Sequence, residues 1–203
     1  MEFLILGFFT SLSLILAIGA QNIFVIEQGL KKQYIFIVCL ICSVSDGILI
    51  FLGLFLFHYF NQYFNPTFEL IFNILLLIFL IHFIYSKIKS RNNTMDFNQS
   101  IKEIPLKSII FKTLGFTYLN PHVYSDTVFF LGNFSKNFSY INKFYFGMGA
   151  FMASIIFFFA LGYLSKYFSR FLKSSKIWKT INFAIIFFMS VLVIYIFFSI
   201  INL

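Results

Sequence analysis

The sequence predicts an all-α membrane protein of six transmembrane helices, and three observations carry that prediction. Of its 203 residues 60% are hydrophobic and only 11% charged, where soluble domains run near roughly 25% charged; a water-soluble fold of this size cannot hide so much apolar surface. Six stretches, at about 3–26, 34–58, 66–86, 108–132, 142–165 and 177–201, each supply the roughly 20 apolar residues that cross a hydrocarbon core of about 30 Å. The 15 Lys and Arg crowd the connectors between alternate stretches: two between the first and second, six in the region between the third and fourth, and five between the fifth and sixth. Those thirteen lie on one face, and only Lys136 and Lys143 lie on the other. By the positive-inside rule the thirteen are cytoplasmic and both termini are outside.

The first stretch has Glu2 as its only charge before Glu27. It lacks the positive start of a cleaved signal peptide and is expected to stay in the mature protein. Within it Gly19-Ala20-Gln21-Asn22 interrupts a run of Leu, Ile and Phe. The two side-chain amides donate and accept, which suits an ammonium, a carboxylate or an exposed backbone group, although interhelical amide bonding accounts for them equally well. In the second stretch Asp46 sits at the middle, in Ser43-Val44-Ser45-Asp46-Gly47, where an ionisable group costs at least about 2.5 kcal/mol. Cys39 and Cys42 share its helix face at i, i+3 and i+7. They suit a thiol or soft-metal role, or simply pack as small apolar residues.

The third stretch ends in a polar linker at about 87–107, with Lys87, Lys89, Arg91, Asn92, Asn93, Asp96, Lys102 and Glu103. It divides one transmembrane domain, residues 1–203, into a half at about 1–86 and a half at about 108–203. Three helices per half send the second half into the membrane in the opposite sense, the geometry of an inverted repeat. The fourth stretch carries Lys112 near its cytoplasmic start, where it snorkels, and then Asn120-Pro121-His122 and Asp126. Proline removes a helix hydrogen bond and clashes with the preceding turn, so the helix kinks or breaks. If it breaks, Asn120 is an N-cap and Pro121 the first residue of a half-helix whose free amides attract an anion. His122 is suited to proton transfer, to metal ligation or to a bond with a neighbouring helix, whereas His58 and His82 lie near the ends of their stretches. The fifth and sixth stretches contain no cysteine, and the 34 Phe are spread as lipid-facing and packing surface.

The formal charge of +8 lies in short loops rather than in a continuous basic domain. This excludes nucleic acid and points to anionic lipid head groups. Asp46 and Asp126, with their different helices, suit an organic cation.

Gly19-Ala20-Gln21-Asn22-Ile23-Phe24-Val25, then Gln28-Gly29, Ser45-Asp46, and above all Leu119-Asn120-Pro121-His122-Val123-Tyr124 with Asp126-Thr127 resemble the lysine/arginine exporter family of bacterial inner-membrane proteins, over essentially the whole chain. Family members often have Gly-Pro where this chain has Gly19-Ala20. Related exporters of neutral amino acids generally lack the pair of membrane aspartates, so the resemblance implies a cationic substrate, arginine and/or lysine. The expected substrate site is Gln21, Asn22, Asp46, Asn120, Pro121 and Asp126, with the aspartates on the cationic group and the half-helix start at Asn120-Pro121 on the carboxylate. Outward movement of a cation against the membrane potential needs a driving ion, H+ or Na+; proton coupling would use Asp46, Asp126 or His122. No catalytic residue, cofactor or resident metal is expected, and a homo-oligomer is compatible with the sequence. Two rival readings are a divalent-cation exporter using Asp46, Asp126, His122 and the cysteines, and a membrane thiol oxidoreductase using Cys39 and Cys42.

Overall fold

The computed structural model describes residues 1–16, 19–60, 66–91, 105–169 and 175–201, and every regular element among them is helical. The first apolar run folds as two helices, α1 (Glu2–Ile15) and α2 (Ala20–Lys31), bent by 84° at the break between them. The second and third runs are single helices, α3 (Ile35–Phe60) and α4 (Pro66–Arg91). The fourth run is also divided: α5 (Leu106–Tyr118) stops, and α6 (Pro121–Tyr124), a π-helical stretch (Ser125–Phe130) and α7 (Leu131–Phe134) continue as one winding segment, 121–134. The fifth and sixth runs are α8 (Tyr140–Phe168) and α9 (Ser175–Ile201). Most of the expected 87–107 linker, Asn92, Asn93, Asp96, Lys102 and Glu103 included, lies outside the described residues, as do Asn61, Arg170 and Lys173.

Among the described residues two single helices are long and apolar enough to cross a membrane, Ile35–Phe57 and Tyr140–Phe168, and the bent pair α1–α2 passes as one broken span. Helices α4 and α9 carry the shorter described apolar stretches Asn73–Tyr85 and Phe183–Phe198. Large apolar side chains stand exposed on the outside, among them Phe9, Phe111 and Ile156. A bilayer accommodates such a surface and water does not.

The local endings follow from the residues. Helix α2 stops where Lys32 takes φ 57°, and the Lys32 and Gln33 N–H groups turn back to the Gly29 and Gln28 carbonyls, each at 3.1 Å. This is the usual left-handed closure of a helix C-terminus. Helix α8 starts at Ser139, whose hydroxyl accepts from the Asn142 N–H at 3.3 Å, as an N-cap serine does.

Helix α8 is the centre of the packing, against α1, α2 and α3, while α4 packs along α9 and segment 121–134 along α3. Its buried face carries Gly147, Gly149, Ala150, Ala153, Ser154 and Gly162. With no hydrophobic drive between helices in lipid, small residues give association its van der Waals contact by letting backbones approach. A Cβ on Gly149 would overlap the Leu4 carbonyl, and one on Gly7 the Phe146 carbonyl. Among the described residues the larger core joins α2, α3, α4, α5, α8 and α9 around Phe24, Phe116 and Phe158.

Candidate functional site

Both helix breaks open onto one cavity of about 570 Å³, a volume in the range of small-molecule sites. Gln21, Asn22, Asp46, Asn120, His122 and Asp126 all line it, so five of the six expected site residues and the expected proton carrier His122 share one space. The side chain of Pro121, the sixth, lies outside the described residues; its backbone opens the segment after the second break. The apolar wall comes from Leu14, Leu76, Leu80, Phe158 and Ile196.

The first break forms without the proline that would impose it. Gly19 is extended (φ −113°, ψ 178°) ahead of α2. Asn22 reaches back across the break, its Nδ2 donating to the Ile15 carbonyl at 3.0 Å. That bond occupies an orphan carbonyl at the end of α1. Asn22 therefore does what interhelical amide bonding predicts, while still facing the cavity.

At the second break Pro121 opens the new segment, as its missing N–H and fixed φ favour. The Asn120 Oδ1 accepts from the His122 N–H at 3.1 Å, and the Tyr124 hydroxyl donates to the Tyr118 carbonyl at 2.9 Å. Asn120 is thus the N-cap read from the sequence. The free amides expected there are not found: Pro121 has none, and the Val123 N–H donates to the Asn120 carbonyl at 3.2 Å. The cap that shapes this end also occupies its donors.

Asp46 is 3% exposed, and the Ser154 hydroxyl on α8 donates to its Oδ2 at 3.0 Å. Asp126 is half-buried in the π-helical stretch. Such stretches recur at functional sites because the extra residue per turn disturbs the regular ladder. Asp126 follows His122 by four residues, and both face the cavity.

Sequence reasoning missed Ser154, although Gly147, Ala150 and Ser154 at i, i+3 and i+7 mark one small-residue face with a single hydroxyl on it. It also passed over Glu27, which is 2% exposed and paired with Lys31 at 2.5 Å; the i, i+4 spacing was legible. Lys112 on α5 lies within electrostatic reach of Glu27 and Lys31. The rings of Phe24, Phe79, Phe83 and Phe116 pack together, with Phe116 4.8 Å from Phe24, 4.8 Å from Phe79 and 5.0 Å from Phe83. Cys39 and Cys42 are buried free thiols, and Cys39 Sγ donates to the Phe158 carbonyl at 3.1 Å. Among the described residues no three His, Cys, Asp or Glu come together as a metal-binding group.

The family model for LysE type translocators matches residues 12–199. The chain is 32% identical over 178 residues to the arginine exporter protein ArgO of Pectobacterium atrosepticum, covering 87% of each chain. It is 30% identical over 178 residues to the protein of the same name in Serratia proteamaculans, covering 87% of this chain and 86% of that one. The putative amino-acid transporter YggA of Aeromonas salmonicida is 29% identical over 181 residues, with 87% and 86% covered. No solved structure matches the chain.

Proposed function

The chain belongs to the LysE type translocator family, and from that premise we propose that it is a secondary active exporter of basic amino acids, arginine and/or lysine, in the bacterial inner membrane. The observation that carries this reading is the single cavity shared by Asp46, Asp126, Gln21, Asn22 and Asn120. A basic amino acid presents an ammonium or guanidinium at one end and a carboxylate at the other, and carboxylates beside amides match that pair of charges. The relatives named as arginine exporters favour the same class of substrate.

Six spans follow if each broken pair crosses once: α1 with α2, α3, α4, α5 with 121–134, α8 and α9. Inverted halves are supported by the breaks. In the first half α2 leads from the cavity toward Lys31, and in the second 121–134 leads from the cavity toward Lys136. By the charge asymmetry these are opposite sides of the membrane. Tags at either terminus are therefore expected to be reached from the periplasm, and a tag near residue 95 to be protected until the inner membrane is opened. A protected N-terminus would overturn the orientation.

The mechanism is alternating access about this cavity. Substrate entry from the cytoplasmic side requires the packed elements around the cavity to separate, among them α2, α4 and α5, which meet through the rings of Phe24, Phe79, Phe83 and Phe116. Its cationic group then pairs with Asp46 and Asp126, and Asn120 and Pro121 keep the wall between them open by interrupting the helix. Outward release of one positive charge costs about 2.3 kcal/mol per 100 mV. Antiport supplies that energy: a proton or Na+ from outside takes the place of the substrate cation on an aspartate, with His122 beside Asp126 as the transfer group in the proton case. A carboxylate that changes cations in this way is never left buried and uncompensated.

Export of labelled arginine or lysine from loaded cells is the decisive test. Efflux should be faster with the protein than without it, and equal efflux would sink the proposal. A growth arm against cadmium or manganese covers the metal-cation reading, for which the described residues supply no assembled donor group. The thiol reading would need Cys39 and Cys42 to reach a partner, and both are fully buried, Cys39 against α8.

A further inference from the structure

We propose that the first turn of α2, together with the Gln21 side chain, is the subsite for the substrate's α-carboxylate; this rests on reading the cavity as an amino-acid site. Two helix starts face the cavity, and they differ in what they offer. At Asn120-Pro121 the donors are absent or used: proline has none, and the His122 and Val123 N–H groups both donate to Asn120. At α2 the preceding residue is Gly19, which has no side chain to cap the turn. The Ile23 N–H is paired, with the Gly19 carbonyl at 3.1 Å. For the N–H groups of Ala20 and Gln21 no acceptor is found among the described residues. The helix is 12 residues long, enough to develop the partial positive charge of a helix start.

An independent observation points the same way. Gln21 is 6% exposed and lines the cavity, and its Nε2, a group with two N–H donors, has no oxygen or nitrogen acceptor among the described residues, only the weakly accepting Cys42 sulfur nearby. A buried donor without a partner is costly, and a ligand acceptor in the cavity would relieve it. Backbone N–H groups, an amide NH2 and a helix start are all donors. They fit a carboxylate and oppose an ammonium or guanidinium. The substrate is therefore held with its carboxylate on α2 and its cationic end toward Asp46 and Asp126, and recognition extends to any α-amino acid whose side chain suits the aspartates.

The test is competition against labelled arginine transport by the full-length protein in vesicles, with arginine, its methyl ester and its decarboxylated amine, agmatine, as unlabelled competitors. The unmodified protein should take arginine at least about tenfold better than the amine or the ester, the loss expected for one hydrogen bond to a charged group. Gln21→Met, which keeps length and removes the donor, should weaken arginine about tenfold. Gln21→Glu, which sets like charges together, should weaken it further, and agmatine should change less than about twofold in either variant. Equal affinity of the unmodified protein for arginine and agmatine would overturn the subsite without recourse to any variant, as would equal loss of both competitors in the variants. Should the unmodified protein move a neutral amino acid instead, the basic-substrate reading fails, and the same comparison on that amino acid and its amine still decides the subsite. Failure to move any amino acid would end both.

Discussion

Asp46→Asn is expected to abolish export of basic amino acids while the protein still reaches the membrane. The carboxylate is almost wholly buried, with one oxygen held by Ser154 at 3.0 Å. Asparagine preserves the size, and its carbonyl oxygen can accept the same serine bond, so a side chain needed only for packing would survive the exchange. What disappears is the negative charge opposite the substrate cation. Removing one partner of a buried charge pair costs about 3–5 kcal/mol, which corresponds to roughly a hundred- to a thousandfold or more in binding. Asp126→Asn should act in the same direction with a smaller effect, because Asp126 is only half-buried and solvent screens its charge. Efflux normalised to the amount of tagged protein in the membrane is the measurement. Normal transport by both variants would remove the carboxylates from the substrate and proton roles.

The largest structural effect is expected at Gly149, where leucine should largely prevent accumulation of folded protein and alanine should lower the melting temperature in detergent. A Cβ there would land on the Leu4 carbonyl and close to the Phe8 nitrogen. These are backbone atoms, which cannot turn aside as a flexible side chain does. Overpacking a well-packed core typically costs about 1–3 kcal/mol, and here relief requires moving α1 away from α8 along their contact. Gly7 meets α8 in the same way from the other helix. Gly19 is the internal control, since nothing lies within 4 Å of a Cβ built on it; Gly19→Ala should leave the melting temperature unchanged. A Gly149→Ala protein as stable as the parent would show that α1 and α8 do not approach this closely.

The breadth of the charged connectors and the length of the apolar runs are properties of consecutive residues, and for that reason the positions of the helices are legible in the sequence. The break at Asn120-Pro121 is legible for the same reason, because proline lacks a donor and acts on its own turn. The break ahead of Ala20 is not, since Gly19 permits an extended conformation without requiring it; a bond from Asn22 back to Ile15 holds the two pieces. The membrane aspartates announce themselves individually through the cost of a charge in hydrocarbon.

That they share a cavity with Gln21 and Asn120 depends on contacts between α2, α3, α5 and the 121–134 segment, separated by tens of residues, which periodicity does not encode. Ser154 belongs to the same class: its hydroxyl is ordinary in sequence and becomes a partner of Asp46 only because α8 packs on α3 through a face of glycine and alanine. The donors at Asn120-Pro121 illustrate the converse. Sequence identifies a helix start correctly and on that basis leads one to expect free amides there. Only the three-dimensional arrangement decides that Asn120 uses those donors itself, leaving the turn behind Gly19, with no side chain to fold back on it, as the start with donors to spare.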